Sequence, residues 1–329
     1  MKKVLTISIA AYNIEKYIRT AVESLIIDNL DMLDIIIVDD GSKDETLKIA
    51  KEYEQKYPNV IRVIHKENGG YGSTINTAIE YAEGKYFKQL DGDDLYQTEN
   101  LNRICLELQN IDTDVVYTPY IIFNEKKNTS TIAKSDILLD LHEENLNKAI
   151  KNAFSKRIPM HSLMYKTNLL KKNQIKLQEK CYYTDTEYAI YPFFFATTIK
   201  IFDIPLYIYK IGREDQSMSK KNKIKNYNDI LKVNYNLLNK SKHLNELDGN
   251  IKTYIENYIV ACLIISIREY LILLKPNKEN FMLIKKYNDT IKENSISLYT
   301  EIGKRSRLIR MLRKNNFFLY KVCYYLKSS

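Results

Sequence analysis

A chain of 329 residues, 45% hydrophobic and 28% charged with only nine Gly and six Pro, can bury a sizeable core and is neither disordered nor collagen-like. Its four cysteines, Cys105, Cys181, Cys262 and Cys323, form no CxxC pair, which excludes a zinc ribbon and a disulfide framework and fits a reducing compartment. The net charge of +9 is unevenly shared: residues 1–215 carry 28 Lys+Arg against 32 Asp+Glu (−4) and residues 216–329 carry 22 against 9 (+13), so an acidic part suited to cations precedes a basic part suited to phosphates.

In chain order, Val4 to Ala10 reads as a strand, and the polar AYNIEKY after it comes too soon for a signal peptide. Ile14, Tyr17, Ile18, Ala21, Val22, Leu25 and Ile26 then recur at helical spacing. Ile35 to Val38 is a short apolar run like a strand buried on both faces, and Ser42-Lys43-Asp44-Glu45 reads as a capping box opening a helix. Val60 to Ile64 predicts a third strand, Ser73 to Ala82 a helix ended by Gly84, and Tyr86 to Leu90 a fourth strand running into Asp91-Gly92-Asp93-Asp94. This alternation implies a doubly wound, mainly parallel α/β sheet. Asp114 to Phe123 is mixed in pattern, and Lys126 to Lys134 is polar enough for a loop or hairpin tip. From Asn226 onward the pattern is helical, so we expect a domain over 1–218 and a basic α-helical domain over 219–329, with the boundary near Ser217 to Lys223. The most apolar late stretch, Ile259 to Leu274, is interrupted by Arg268 and Glu269, which predicts no transmembrane helix.

Two acidic clusters, Asp39-Asp40 and Asp91-x-Asp93-Asp94, fall where predicted parallel strands end, the place where open α/β sheets hold ligands. On extended backbone Asp91 and Asp93 point to one side and can face a hard divalent cation together; an Asp/Gly turn after a strand is the plainer alternative. The first β-α turn is Ala10-Ala11-Tyr12-Asn13 rather than GxGxxG, and GxxxxGK[ST] is absent, which excludes a dinucleotide dehydrogenase and a P-loop enzyme. Tyr12 beside Asp39 and Asp40 suits stacking of a base and acceptance of its N–H groups, although a core tyrosine would read the same way.

The segments SIAAYNIEKYI, IIIVDDGSKDET, ENGGYGSTINTAIEYAEGKY and QLDGDD occur in the order and spacing of glycosyltransferase family 2, which the chain resembles over residues 4 to 105 and more weakly through Cys181 to Ser219. The resemblance implies a GT-A fold and an inverting, metal-dependent transfer from a nucleotide diphosphate sugar, UDP-linked in our reading, with Mn2+ or Mg2+. It implies that Ala10, Ala11, Tyr12, Asp39 and Asp40 line the nucleobase pocket, Asn68 and Gly72 the donor loop, and that Asp91 and Asp93 form the DxD pair for ribose and metal, supported by Asp94. Where the family often has Pro two positions before the Tyr, this chain has Ala10. Asp185 stands at the place of the family's general base, with Thr184 where a Glu is usual; the alternative is an acid at a helix N-terminus. Glu187 shares the face of Asp185 if the segment is extended and diverges if it is helical. Arg213, Gln216 and Ser217 match a segment that closes over the donor, with Arg213 toward the diphosphate. His161 is read either as an acceptor-side residue or as a buried, satisfied histidine.

Between Lys304 and Lys327 the chain has Arg305, Arg307, Arg310, Arg313, Lys314 and Lys321 and no acid, while Leu308, Met311, Leu312, Leu319, Val322 and Leu326 fall on one helical face. Three readings stand for 304–329: docking on an anionic membrane surface, core packing with a solvated basic face, and a homodimer contact. No nucleic-acid module is recognised, and no nucleic-acid partner is expected. The sequence therefore predicts a cytoplasmic glycosyltransferase, peripheral on the inner face of the membrane, acting on a glycan or lipid-linked acceptor in surface polysaccharide or glycolipid synthesis. A non-catalytic sugar-nucleotide or glycan binder of the same fold is the alternative, and an adaptor driven by the basic half a third.

Overall fold

The computed structural model describes residues 2–134, 144–150, 157–213, 220–247 and 249–328, with residues 327 and 328 as backbone only. The chain divides into two compact units, Met1–Lys151 with Ile158–Arg213, and Asn152–Arg157 with Glu214–Ser329.

The first unit contains eleven strands among the described residues: β1 (Leu5–Ala11), β2 (Leu33–Asp39), β3 (Ile61–His65), β4 (Tyr86–Asp91), β5 (Leu95–Tyr96), β6 (Val115–Tyr117), β7 (Tyr120–Asn124), β8 (Thr129–Ala133), β9 (Leu163–Lys166), β10 (Ile199–Ile201) and β11 (Tyr207–Ile211). Seven form a sheet in the order β10-β6-β9-β4-β1-β2-β3. All are parallel except β9, which runs antiparallel to both β4 and β6. Ile35 to Val38 are fully buried, as an apolar run without alternation requires. Helix 71–81 packs on β1 and β2, and helix 46–56 packs on β3.

A second, four-stranded sheet, β5-β11-β7-β8, was not legible in the sequence. Its members are short, and β7 and β8 close a hairpin over the polar tip at Lys126, with Asn128 in the left-handed region at φ 49°. The anticipated capping box also differs. Helix 46–56 starts after Glu45 without a side-chain cap. Ser42 instead accepts from the backbone N–H of Asn13 at 3.0 Å, and Asp44 accepts from that of Thr46 at 3.1 Å. The Ser42 hydroxyl thus ties the β2 loop to the β1 loop rather than to its own helix.

The second unit is helical among the described residues, with helices Lys220–Lys225, Tyr227–Lys240, Gly249–Ile265, Lys278–Asn294, Ile296–Arg305, Arg307–Lys314 and Tyr320–Ser328. Asn277, Ser295 and Ser306 cap three of them by accepting from the backbone N–H three residues on. The single amphipathic helix expected beyond Lys304 is three helices. Ser306 separates the first two, and left-handed Asn316 and Phe317 (φ 46° and 64°) lie between the second and third.

Candidate active site

The register of the parallel strands assembles the acidic clusters. Ala11 lies opposite Asp39 and Ala10 opposite Asp91, so the ends of β2 and β4 flank the end of β1 on either side. Asp40 donates its backbone N–H to the Ala11 carbonyl at 2.8 Å, which sets Tyr12, 49% exposed, beside the Asp39-Asp40 pair. Tyr12 is therefore a surface ring at the strand ends and not core.

Asp39 is fully buried. Its Oδ2 lies 2.6 Å from His65 Nδ1, while Oδ1 has no hydrogen-bond partner among the described residues. A buried carboxylate oxygen without a donor is costly and marks a place where a ligand N–H would be accepted. Asp40 behaves differently. It accepts from Lys66 Nζ at 2.9 Å and from the backbone N–H groups of Gly69 and Gly70 at 2.9 and 2.8 Å. Its carboxylate organises the glycine loop, and Asn68 Nδ2 donates to the Asp40 carbonyl at 3.0 Å for the same end. Gly70 adopts φ +80°, and a Cβ on Gly72 would lie 2.1 Å from the Gln178 carbonyl oxygen, so the loop seats directly against the chain near Gln178.

At the end of β4, Asp91 Oδ1 accepts from the Tyr71 hydroxyl at 2.5 Å. Burial first, then the neighbouring charge of Asp93, pushes the Asp91 carboxyl up to about 7, and Asp185 adds to this. Asp94 is buried, accepts from the Tyr207 hydroxyl at 2.7 Å and the Lys210 N–H at 2.8 Å, and is likewise raised by burial and by Asp91 and Asp93. Asp93 is the most open of the three, at 37% exposure, and is paired with the Arg213 guanidinium, which also stacks over Tyr17 at 4.6 Å and lies 3.6 Å from Glu125.

Asp185 begins helix 185–190 and is close enough to Asp91 and Tyr71 to raise both electrostatically. Glu187 diverges from it, as helical geometry demands. It is fully buried and accepts from the Gln178 N–H at 2.7 Å and the Tyr191 hydroxyl at 3.0 Å, so it anchors the chain under the glycine loop. The His161 ring is wedged among Tyr120, Tyr207 and Tyr209, and burial, with the Lys88 charge, lowers its pKa to about 3. Nδ1 itself is buried and has no hydrogen-bond partner among the described residues, and a ring nitrogen lies within 4.8 Å of carboxylate oxygens of Asp91 and Asp94. Gln216 and Ser217 lie outside the described residues.

Several contributors escaped the sequence reading. Tyr71 and Tyr207 hold the β4 carboxylates, Lys66 neutralises Asp40, and Lys88, fully buried on β4, donates to the carbonyls of His161 and Leu163 at 2.8 and 3.2 Å. The only signal was composition: 27 Tyr and no Trp.

The family model for glycosyl transferase family 2 matches residues 6–173, half of the chain. The chain belongs to this family. Among curated relatives, EpsH of Bacillus subtilis is 31% identical over 63% of this chain and 60% of its own length. The minor teichoic acid biosynthesis protein GgaB of the same organism is 38% identical over 40% of this chain and 16% of its own. The chain thus spans less than two thirds of the length of these relatives. Among solved structures, residues 1–349 of S. aureus TarS superpose with a TM-score of 0.70 at 19% identity, covering 99% of this chain and 92% of that one. The same TarS fragment has been solved with UDP and with UDP-GlcNAc. Family membership and this likeness establish the GT-A fold of a family 2 glycosyltransferase. No helix among the described residues is long and apolar enough to cross a membrane.

Proposed function

We propose that the protein is an inverting transferase that moves a sugar from a UDP-linked donor to a hydroxyl of a glycan or lipid-linked acceptor in surface polysaccharide or glycolipid synthesis. The observation that carries this reading is electrostatic: Asp185 acts on the same buried carboxyl, Asp91, that the DxD pair contributes at the end of β4. This supports reading Asp185 as a base beside the donor-binding acid Asp91.

The nucleobase reading rests on the unpartnered Asp39 Oδ1 beside Tyr12. A carboxylate there accepts the ring N–H of uracil, where cytosine presents an acceptor nitrogen and offers only its exocyclic amine. The TarS complexes with UDP and UDP-GlcNAc support the same choice of donor. Arg213 is paired with Asp93 and is suited to the diphosphate. Burial first, then neighbouring carboxylates, raises Asp91 (beside Asp93) and Asp94 (beside Asp91 and Asp93), and ligand atoms of Asp91, Asp94 and His161 lie within 4.8 Å of one another, which fits a divalent cation, Mn2+ or Mg2+. Asp91 and Asp93 would hold it, and when bound it neutralises charge on the leaving diphosphate.

Asp185 takes the proton from the acceptor hydroxyl as that oxygen attacks the anomeric carbon. The new C–O bond forms as the bond to the diphosphate breaks, so one displacement releases the nucleoside diphosphate and inverts the centre. Calorimetric titration of UDP, GDP, CDP and dTDP, with Mn2+ and then with EDTA, tests the donor reading. UDP binding that EDTA abolishes is expected, and binding of none of the four refutes it. The anomeric configuration of the product, read by NMR, tests inversion.

A further inference from the structure

The second unit carries an apolar surface that its own packing leaves uncovered. In the segment from Arg307 to Leu326, one stripe is consumed inside: Ile309, Leu312, Phe317, Tyr320 and Cys323 are all buried. A second stripe faces outward, with Phe318 75%, Val322 53%, Tyr325 57% and Leu326 75% exposed. Val322, Tyr325 and Leu326 are spaced i, i+3, i+4 on helix 320–328 and share one face. The Phe318 ring extends this surface onto helix 278–294 through Phe281, at 5.9 Å. Exposed apolar side chains scattered singly need no explanation, but a contiguous stripe does.

Charge decides what covers it. Arg307, Arg310, Lys314 and Lys321 are exposed in the same segment, Lys321 next to Val322 on helix 320–328, and no acid occurs after Glu301. The one inward basic residue, Arg313, is already used, stacked 3.5 Å over Tyr299 and donating to Asn288 at 2.7 Å. A two-fold contact between copies would set like charges face to face, which opposes a homodimer through this surface. A nucleic-acid backbone would satisfy the basic residues and leave Val322 and Leu326 without a counterpart. Apolar side chains with tyrosine and phenylalanine, rimmed by lysine and arginine, suit the interface of an anionic bilayer.

We infer that the outward apolar face of residues 318–326 docks on an anionic lipid surface, with Val322, Tyr325, Leu326 and Phe318 entering the headgroup boundary and the exposed basic residues of 307–321 held by lipid phosphates. This deepens the reading of a lipid-linked acceptor, which would reside at the same surface.

The test is flotation of the whole protein with phosphatidylcholine vesicles, with and without phosphatidylglycerol, at low and high salt. Binding only to the anionic vesicles, weakened by salt, is expected. V322S/L326S should lower partitioning at least about tenfold through lost apolar burial, and K314Q/K321Q by about fivefold per charge removed. These positions are exposed, so both variants should fold and retain UDP titration. No flotation of a protein that still binds UDP overturns the inference and leaves the transferase reading standing. Flotation that neither double variant changes also overturns it, as does a dimer in light scattering that V322S/L326S dissolves. Nucleotide titration without vesicles reads the transferase proposal separately.

Discussion

Arg213 makes a prediction whose two halves have opposite signs. The Arg213 guanidinium sits on Asp93, a carboxylate proposed to hold the cation, so arginine and cation would compete for one charge. Two unit charges about 4 Å apart attract by roughly 4 kcal/mol at an effective dielectric near 20. Asp93 is 37% exposed, however, and screening reduces such a pair to about 1 kcal/mol. Arg213→Ala should therefore tighten binding of Mn2+ alone about fivefold. The same substitution removes a charge-assisted contact to the diphosphate, of the order of 1.5–3 kcal/mol, and should weaken UDP binding roughly tenfold to a hundredfold. Titrating Mn2+ without nucleotide, and UDP at saturating Mn2+, reads both effects. If cation and nucleotide weaken together, Arg213 is a post that holds the site open, and the reasoning fails.

Other expectations follow from the same geometry. Asp185→Asn should leave UDP affinity unchanged and lower transfer by about 10²–10⁴-fold, because it removes the proton acceptor and no donor contact; equal loss of UDP binding would reassign Asp185. Gly72→Ala brings a Cβ 2.1 Å from the backbone oxygen of Gln178 and should cost about 1–3 kcal/mol, seen as a lowered Tm. Lys88 is fully buried, and burial lowers its pKa from 10.5 to about 7. Between those values the unfolded chain binds the proton and the folded one does not, so stability should rise with pH from about 7 toward 10.5, by a few kcal/mol at most. Lys88→Met should flatten that rise in urea denaturation at about pH 7 and about pH 9, and an unchanged slope would mean that Lys88 keeps its proton in the fold.

The parallel half of the sheet was readable because each strand carries its own signature. Ile35 to Val38 has no polar alternation, so it had to be covered on both faces, and a strand covered on both faces lies inside an α/β sheet. The mixed part was not readable. β6 and β10 are three residues each and β9 four, too short for a period to emerge, and β5 to β11 pairing joins residues more than a hundred positions apart. The C-terminal helices misled in another way. Alternation of Leu and Arg looked continuous from Leu308 to Leu326, and the break comes from Asn316 and Phe317, which are not glycines and announce no turn.

The site separates by the same logic into what a motif can show and what only packing can. Asp39 and Asp40 are adjacent in the sequence and equal in type, yet they end in opposite states. Asp40 meets two backbone N–H groups and a lysine ammonium, so its charge is already compensated. Asp39 meets the His65 ring nitrogen and the Ser42 backbone N–H, both at Oδ2, and keeps its buried Oδ1 without a partner among the described residues. A compensated carboxylate can organise a loop and a bare one can accept from a ligand, so the proposed nucleobase pocket divides between the pair: Asp39 is the proposed acceptor of the base, and Asp40 organises the glycine loop beside it. The division is open to measurement. Asp39→Asn keeps the shape but presents an amide that can rotate to donate, and should narrow the preference for UDP over CDP. Asp40→Asn leaves two N–H groups and an ammonium without their anion, and should lower Tm while leaving the UDP-to-CDP ratio unchanged. If Asp40→Asn shifts that ratio as much as Asp39→Asn does, both carboxylates touch the base and the distinction drawn from their hydrogen bonds is wrong.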